Sequence, residues 1–211
     1  VLINFLKVIP YGVLCFLPSF SFLDKLIKRW EQTDVYNRIS ALKQIFIEPR
    51  NTATATEFDT LLSKYYAHLD NIIEMYNSPS TGAIFFAVYR GKASEGINFT
   101  NHYARAVIAI GIPYPNVKDL QIDLKRKYND YIGQARNLID GNEWYEIQAY
   151  RALNQAVGRC IRHANDWGAI ILLDSRYNSK KAQSFISKWL RDSIQPEVSF
   201  KTLFGSLCKF F

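Results

Sequence analysis

Residues 144–174 read WYEIQAYRALNQAVGRCIRHANDWGAIILLD. Wound as a helix at about 100° per residue, Gln148, Arg151, Gln155, Arg159 and Arg162 fall within a stripe about 80° wide. Tyr150, Leu153, Val157, Cys160 and Ile161 take the other side, so Trp144 to His163 predicts an amphipathic helix with an apolar back. A merely solvated polar face intersperses acids for i,i+4 pairing, yet no Asp or Glu lies between Arg151 and Arg162. Guanidiniums in a row with amides suit planar, bidentate contact with phosphate oxygens. The run AIILLD, Ala169–Asp174, then predicts a buried strand directly after the helix.

The same alternation extends toward the N-terminus. GVLCFL, Gly12–Leu17, is a continuous apolar run of the kind covered on both faces in a parallel sheet. Pro18 ends it, and Ser19 or Ser21 caps a helix carrying Phe22, Leu23, Leu26, Ile27 and Trp30. Gln44–Ile47 is a second, short strand, followed by Glu48, Pro49, Arg50 and a possible linker near Asn51 to Ala55. From Thr56 to Tyr76 apolar residues recur at helical spacing (Phe58, Leu61, Leu62, Tyr65, Leu69, Ile72, Ile73), Thr56 and Asp59 resemble a capping box, and His68 lies off the stripe, on the surface.

A turn over Asn77 to Gly82 leads to the strand AIFFAVYR, which opens into RGKASEGINF, Arg90–Phe99. This loop is not a Walker A sequence: Ala93 follows Lys92 and the glycine spacing fails. AVIAIGIP, Ala106–Pro113, is the next strand. Asn116 then caps a helix through about Ile132, whose lysines could track a nucleic-acid backbone. A closing helix over about Ser179 to Asp192 packs Phe185, Ile186, Trp189 and Leu190, and residues 196–211 show no readable pattern. Strands alternating with helices predict an α/β fold, a RecA-like parallel sheet with helices on both faces and functional residues at the carboxyl ends of the strands.

A chain of 211 residues holds one such domain, and 48% hydrophobic with 15% aromatic residues gives it a ring-rich core. Net charge +7 favours polyanionic partners such as nucleic acid. Cys15, Cys160 and Cys208 form no C-x-x-C pair, which suits a reducing compartment. Cys160 with His163 is a lone C-x-x-H, so no metal site is expected. Lys7, Pro10, Gly12 and Pro18 interrupt the apolar N-terminal run, so a buried strand is expected there and no membrane span.

QAVGRCIR, Gln155–Arg162, resembles motif VI (QxxGRxxR) of superfamily 2 helicases, and RGKASEGINF resembles motif V of the xeroderma pigmentosum group D branch. The longer stretches Gly111–Asp130 and Trp144–Asp174 resemble the Fanconi anaemia group J helicases within that branch. The resemblance covers about Gly12 to Arg191 and implies that residues 1–195 are the second, C-terminal motor domain, with 196–211 a tail. It implies an ATP-dependent 5′ to 3′ DNA helicase of DNA repair, nuclear, with arginine fingers Arg159 and Arg162 and a phosphate- or water-binding Gln155. Ser94, Glu95, Gly96 and Asn98 would serve the nucleotide side, and Ser19, Arg90, Gly91, Lys92 and Tyr114 the nucleic acid, Tyr114 by stacking on a base. Asn98 stands where the family usually has Asp, and an amide carries no charge with which to hold an arginine.

The chain opens on Val1 and has neither a Walker A sequence nor a DEAH-like acid box. It therefore reads as a piece of a longer protein, inactive alone, whose first motor domain would hold most of the ATP and its Mg²⁺. An iron–sulfur cluster would belong to that other half. Implied partners are single-stranded or forked DNA, the first motor domain and repair proteins. The alternative reading is a non-catalytic module that binds single-stranded nucleic acid or a protein.

Overall fold

The computed structural model describes residues 1–50, 55–74, 81–195 and 199–211. In chain order the elements are α1 (Leu2–Val8), β1 (Tyr11–Leu17), α2 (Phe20–Gln32), α3 (Val35–Ser40), β2 (Gln44–Ile47), α4 (Ala55–Glu74), β3 (Gly82–Val88), β4 (Ala106–Ile110), α5 (Leu120–Arg136), α6 (Gly141–Val157), β5 (Ala169–Leu173), α7 (Lys180–Phe185), α8 (Lys188–Arg191) and α9 (Phe200–Phe210). Every strand pairs parallel with its neighbour, in the order β2-β3-β1-β4-β5.

Because side chains alternate along a strand, β1 feeds two cores at once. Leu14 and Phe16 pack with Phe58, Tyr65 and Leu69 of α4 and with Ala149 and Leu153 of α6. Val13, Cys15 and Leu17 pack on the other face with Phe5, Leu23, Ile39 and Leu207, from α1, α2, α3 and α9. This two-sided burial is why β1 and β3 read as unbroken apolar runs. The RecA-like α/β expectation holds.

Several expectations are corrected. The arginine-striped helix ends at Val157, not His163. Gly158 is a poor helix former, and beyond it Arg159 N–H bonds Ala156 O and Cys160 N–H bonds Val157 O, tightening the chain into turns. Arg159 and Arg162 therefore leave the helix axis, and Ile161 is exposed while Cys160 stays buried. Asp119 caps α5 in place of Asn116, accepting from the N–H groups of Gln121 and Ile122. Asn116 instead holds a short turn through Lys118 N–H.

The expected closing helix is split into α7 and α8. The Asn154 side chain donates to Phe185 O and accepts from Ser187 N–H, both at 2.9 Å, capturing backbone groups the helix would have used. Trp189, expected to pack, is exposed, and so is Ile73. His68 is half-buried, its ring 6.1 Å from that of Phe46. The N-terminal run begins with a helix, α1, and the stretch that showed no pattern contains α9, which buries Leu207 against the sheet. α4 begins at Ala55, one residue before the expected cap Thr56. Tyr76, the Asn77–Ser80 part of the following turn and the Asn51–Thr54 part of the possible linker lie outside the described residues. No helix among the described residues is long and apolar enough to cross a membrane.

Candidate nucleotide and nucleic-acid interface

β3 delivers the chain at Val88 to the carboxyl edge of the sheet, where the loop of Arg90–Phe99 begins. Arg90 takes a left-handed conformation (φ 62), a strained choice for a residue with a Cβ. Its guanidinium over-determines that geometry by donating to Pro113 O at 2.8 Å and Gln148 O at 2.9 Å, tying β3 to the loop after β4 and to α6. Gly96 turns the loop with φ 77, and a Cβ there would meet nothing, so glycine is needed for the backbone angle and not for room.

The two arginines beyond α6 reach back to this loop. Arg159 donates from Nε to Ser94 O at 3.2 Å and from Nη1 to Ile97 O at 2.7 Å. Arg162 donates from Nε to the Asn98 side-chain oxygen at 2.8 Å and, at 3.4 Å, from Nη1 to Gly158 O. A guanidinium carries five N–H donors, so both side chains are anchored through Nε and Nη1 while Nη2 keeps its hydrogens for another acceptor. Partial burial and the neighbouring Arg162 charge lower the Arg159 pKa, and Glu95 opposes them.

Ser94 is buried, its hydroxyl donating to Gly91 O at 2.8 Å, so this residue meets Arg159 through its carbonyl. Glu95, Gly96 and Asn98 are exposed on the same rim. Gln155 lines a cleft that Arg159 and Arg162 do not line, a separate one of about 440 Å³ shared with Ile147, Arg151, Asn154 and Phe185.

A larger cleft of about 610 Å³ opens at the carboxyl ends of β1, β3 and β4, and Ser19, Arg90, Gly91 and Tyr114 all line it. Ser19 caps α2, accepting from Phe22 N–H at 3.2 Å. The Tyr114 ring is stacked on Tyr145, centroids 5.4 Å apart, with the Arg176 guanidinium 5.6 Å from its centre. Lys92 departs from the group: its ammonium lies 5.7 Å from the centre of the Phe58 ring, against α4.

The cleft also takes in Lys125, one of the lysines expected to track a nucleic-acid backbone, Gln148 of the polar stripe, and Trp144, to which the sequence reading gave no site role. Trp144 precedes Gln148 by one turn and shares its stripe, so an aromatic among arginines and amides was the available signal. Glu48, which in the sequence only follows the second strand, carries no site signal there. It is 2% exposed, and its carboxylate accepts from Val88 N–H at 2.9 Å and Ala93 N–H at 3.1 Å. Burial nonetheless raises its pKa, against the lowering effect of these bonds, of the Lys92 backbone N–H and of the Lys92 charge.

The helicase C-terminal domain model matches residues 2–193, and the chain belongs to that family. It is 47% identical over 211 residues to the Fanconi anemia group J protein homolog of Gallus gallus, a match covering 99% of this chain and 16% of that protein. It is 40% identical over 208 residues to the Regulator of telomere elongation helicase 1 homolog of Anopheles gambiae, covering 97% of this chain and 20% of the relative. The chain thus spans under a quarter of these relatives' length. Among solved structures, one described as XPD_APO aligns with TM-score 0.55 at 22% identity, over 86% of this chain and 32% of its own. The structure of S. tokodaii Xpd4 aligns with TM-score 0.50 at 20% identity, over 89% and 31%. At these identities the structural likeness shows the RecA-like fold.

Proposed function

We propose that residues 1–211 form the second motor half of an ATP-dependent DNA helicase that moves 5′ to 3′ on single-stranded or forked DNA during DNA repair in the nucleus. Arg159 and Arg162 face a triphosphate held by the first motor half, and the cleft between Ser19 and Tyr114 takes the DNA strand. The observation that carries this reading is the tether of Arg159 to Ser94 O and Ile97 O. Arg159 cannot shift without moving the loop whose beginning, Arg90 and Gly91, lines the DNA cleft. Ser94 serves the nucleotide side by holding Arg159, and Asn98 by holding Arg162.

Phosphoryl transfer is accelerated mainly by placing positive charge and donors against oxygens that gain charge in the transition state. Arg159 and Arg162 are suited to that through their spare Nη2 hydrogens. Among the described residues no three His, Cys, Asp or Glu side chains converge on a metal site, and on this reading Mg²⁺ is held by the first motor half, where it neutralises phosphate charge. Gln155, on the second cleft, would meet phosphate or water only after the two halves close. The test is DNA-stimulated ATPase of the full-length protein bearing Arg159→Ala or Arg162→Ala. We expect each to lose about 10³-fold or more in kcat, and undiminished turnover in both removes the assignment.

A further inference from the structure

We infer that Glu48 is a positioning residue that couples the DNA cleft to the arginine rim by holding the Val88–Ser94 backbone in one shape. The inference rests on the helicase reading above and adds to it a residue from a different strand. Glu48 follows β2, and its own N–H extends the β2–β3 ladder by donating to Phe86 O at 2.8 Å. The side chain then turns under the loop. One oxygen takes the N–H of Val88, where β3 ends, and the other takes that of Ala93, inside the short turn of Lys92–Ser94.

Between those two contacts sits Gly91, where a Cβ would lie 2.6 and 2.7 Å from the two carboxylate oxygens. The same Cβ would lie 2.8 Å from the backbone oxygen of Val88, so glycine is required there by the strand end as well as by the carboxylate. Each side of this knot leads to a different ligand. Toward the DNA, Arg90 and Gly91 line the larger cleft. Toward the nucleotide, Ala93 is joined to Ser94, whose carbonyl holds Arg159. A buried carboxylate is costly unless its oxygens are bonded. A fold needing only a closed turn would manage with the Gly91 N–H to Val88 O and Ser94 N–H to Gly91 O bonds already present. The charged acceptor adds stiffness, so a shift of Gly91 under a DNA strand is passed to Arg159 and not absorbed by the loop.

The experiment compares full-length wild type with Glu48→Gln, measuring ATPase with and without single-stranded DNA and the DNA concentration that gives half-maximal stimulation. The amide keeps the length but turns an N–H₂ toward a backbone N–H, so only one of its two atoms still accepts where both carboxylate oxygens accept from the backbone of Val88, Lys92 and Ala93. We expect the stimulation ratio to fall about tenfold and half-maximal stimulation to need more DNA, while DNA-independent turnover stays within about twofold of wild type. Equal loss of turnover with and without DNA indicates a purely structural role and overturns the proposal, as does an unchanged ratio.

If Glu48→Gln yields no folded protein, Glu48→Asp serves instead. It keeps the charge but withdraws it by one methylene, and we expect a ratio between those of wild type and the uncoupled state; a wild-type ratio overturns the proposal. Arg159→Ala and Arg162→Ala in the same assay separate the two levels. Undiminished turnover in both defeats the helicase reading itself, whereas lost turnover in them with a normal Glu48→Gln defeats only the role of Glu48.

Discussion

Asn98 holds Arg162: the side-chain oxygen accepts the Nε hydrogen at 2.8 Å, and the Asn98 carbonyl accepts from the Tyr66 hydroxyl at 3.0 Å. The amide thus binds the arginine without an ion pair, because an amide oxygen accepts a hydrogen bond without carrying charge. A carboxylate there would add only a Coulombic part, which for two exposed side chains is worth about 0–1 kcal/mol. Asn98→Asp is therefore expected to change DNA-stimulated ATPase of the full-length protein by less than about fivefold. Asn98→Ala, which removes the acceptor, should lower it more. Equal rates in wild type and Asn98→Ala would show that the contact has no part in turnover.

Trp144 lines the larger cleft, the one proposed to take the DNA strand, beside Lys125 and Gln148. An aromatic ring on which a base stacks contributes about 1–3 kcal/mol, so Trp144→Ala should weaken single-stranded DNA binding by about five- to 150-fold without altering its salt dependence. Lys125→Ala removes a charge and should weaken binding while flattening the slope of log K against log salt by about one unit. Fluorescence anisotropy titrations at several salt concentrations distinguish the two. Identical salt slopes for wild type and Lys125→Ala would place that lysine off the strand.

Lys43 is buried with no surface exposure, its ammonium donating to Tyr11 O at 2.9 Å and Thr81 O at 3.2 Å. Burial lowers its pKa to about 7 from the ordinary 10.5. Between those values the unfolded chain binds a proton that the folded chain does not, so stability contributed by this site rises with pH across that window and is absent below it. Thermal melts of residues 1–211 from pH 6 to 10 should show this rise. In Lys43→Met it should vanish, with an overall loss from the two carbonyls left unpaired. A parallel rise in the variant would assign the effect to other groups.

The sheet was legible because β1 and β3 are apolar at every position, and only a strand covered on both sides tolerates that. The end of α6 was not legible from its polar stripe, because the periodicity continues through Arg159 and Arg162 while the backbone does not; Gly158 was the cue. α9 is hard to read because its stripe of Leu203, Phe204 and Leu207, continued by Phe211 just beyond the helix, is short and lies among exposed rings. The split between α7 and α8 depends on Asn154, 31 residues from Phe185, a tertiary contact without local trace. Glu48 was hidden for a related reason. A single acid after a strand looks like surface until the fold brings the Gly91 loop over it.

Asp166 supports the arginine rim from behind and supplies the last test. Its side chain is fully buried, one oxygen pairing with Arg105 at 3.0 Å and taking Trp167 N–H, the other taking Arg162 N–H at 3.2 Å and Asn101 N–H at 3.4 Å. Arg105 also lies 4.3 Å from the centre of the Trp167 ring and donates to Trp167 O. Burial pushes the Asp166 carboxyl up, but Arg105 and the three backbone N–H groups outweigh it and hold it below the usual range. The sign follows: Asp166 contributes stability that is present above the unfolded carboxylate pKa and lost as pH falls through the lower folded value. Removing one partner of a buried pair costs about 3–5 kcal/mol, so Asp166→Asn should lower the unfolding free energy by most of that at pH 7 and flatten the acid limb of the stability curve. Urea unfolding of residues 1–211 at several pH values measures both. A variant as stable as wild type at pH 7 would mean that the Arg105 charge finds solvent when its partner is gone.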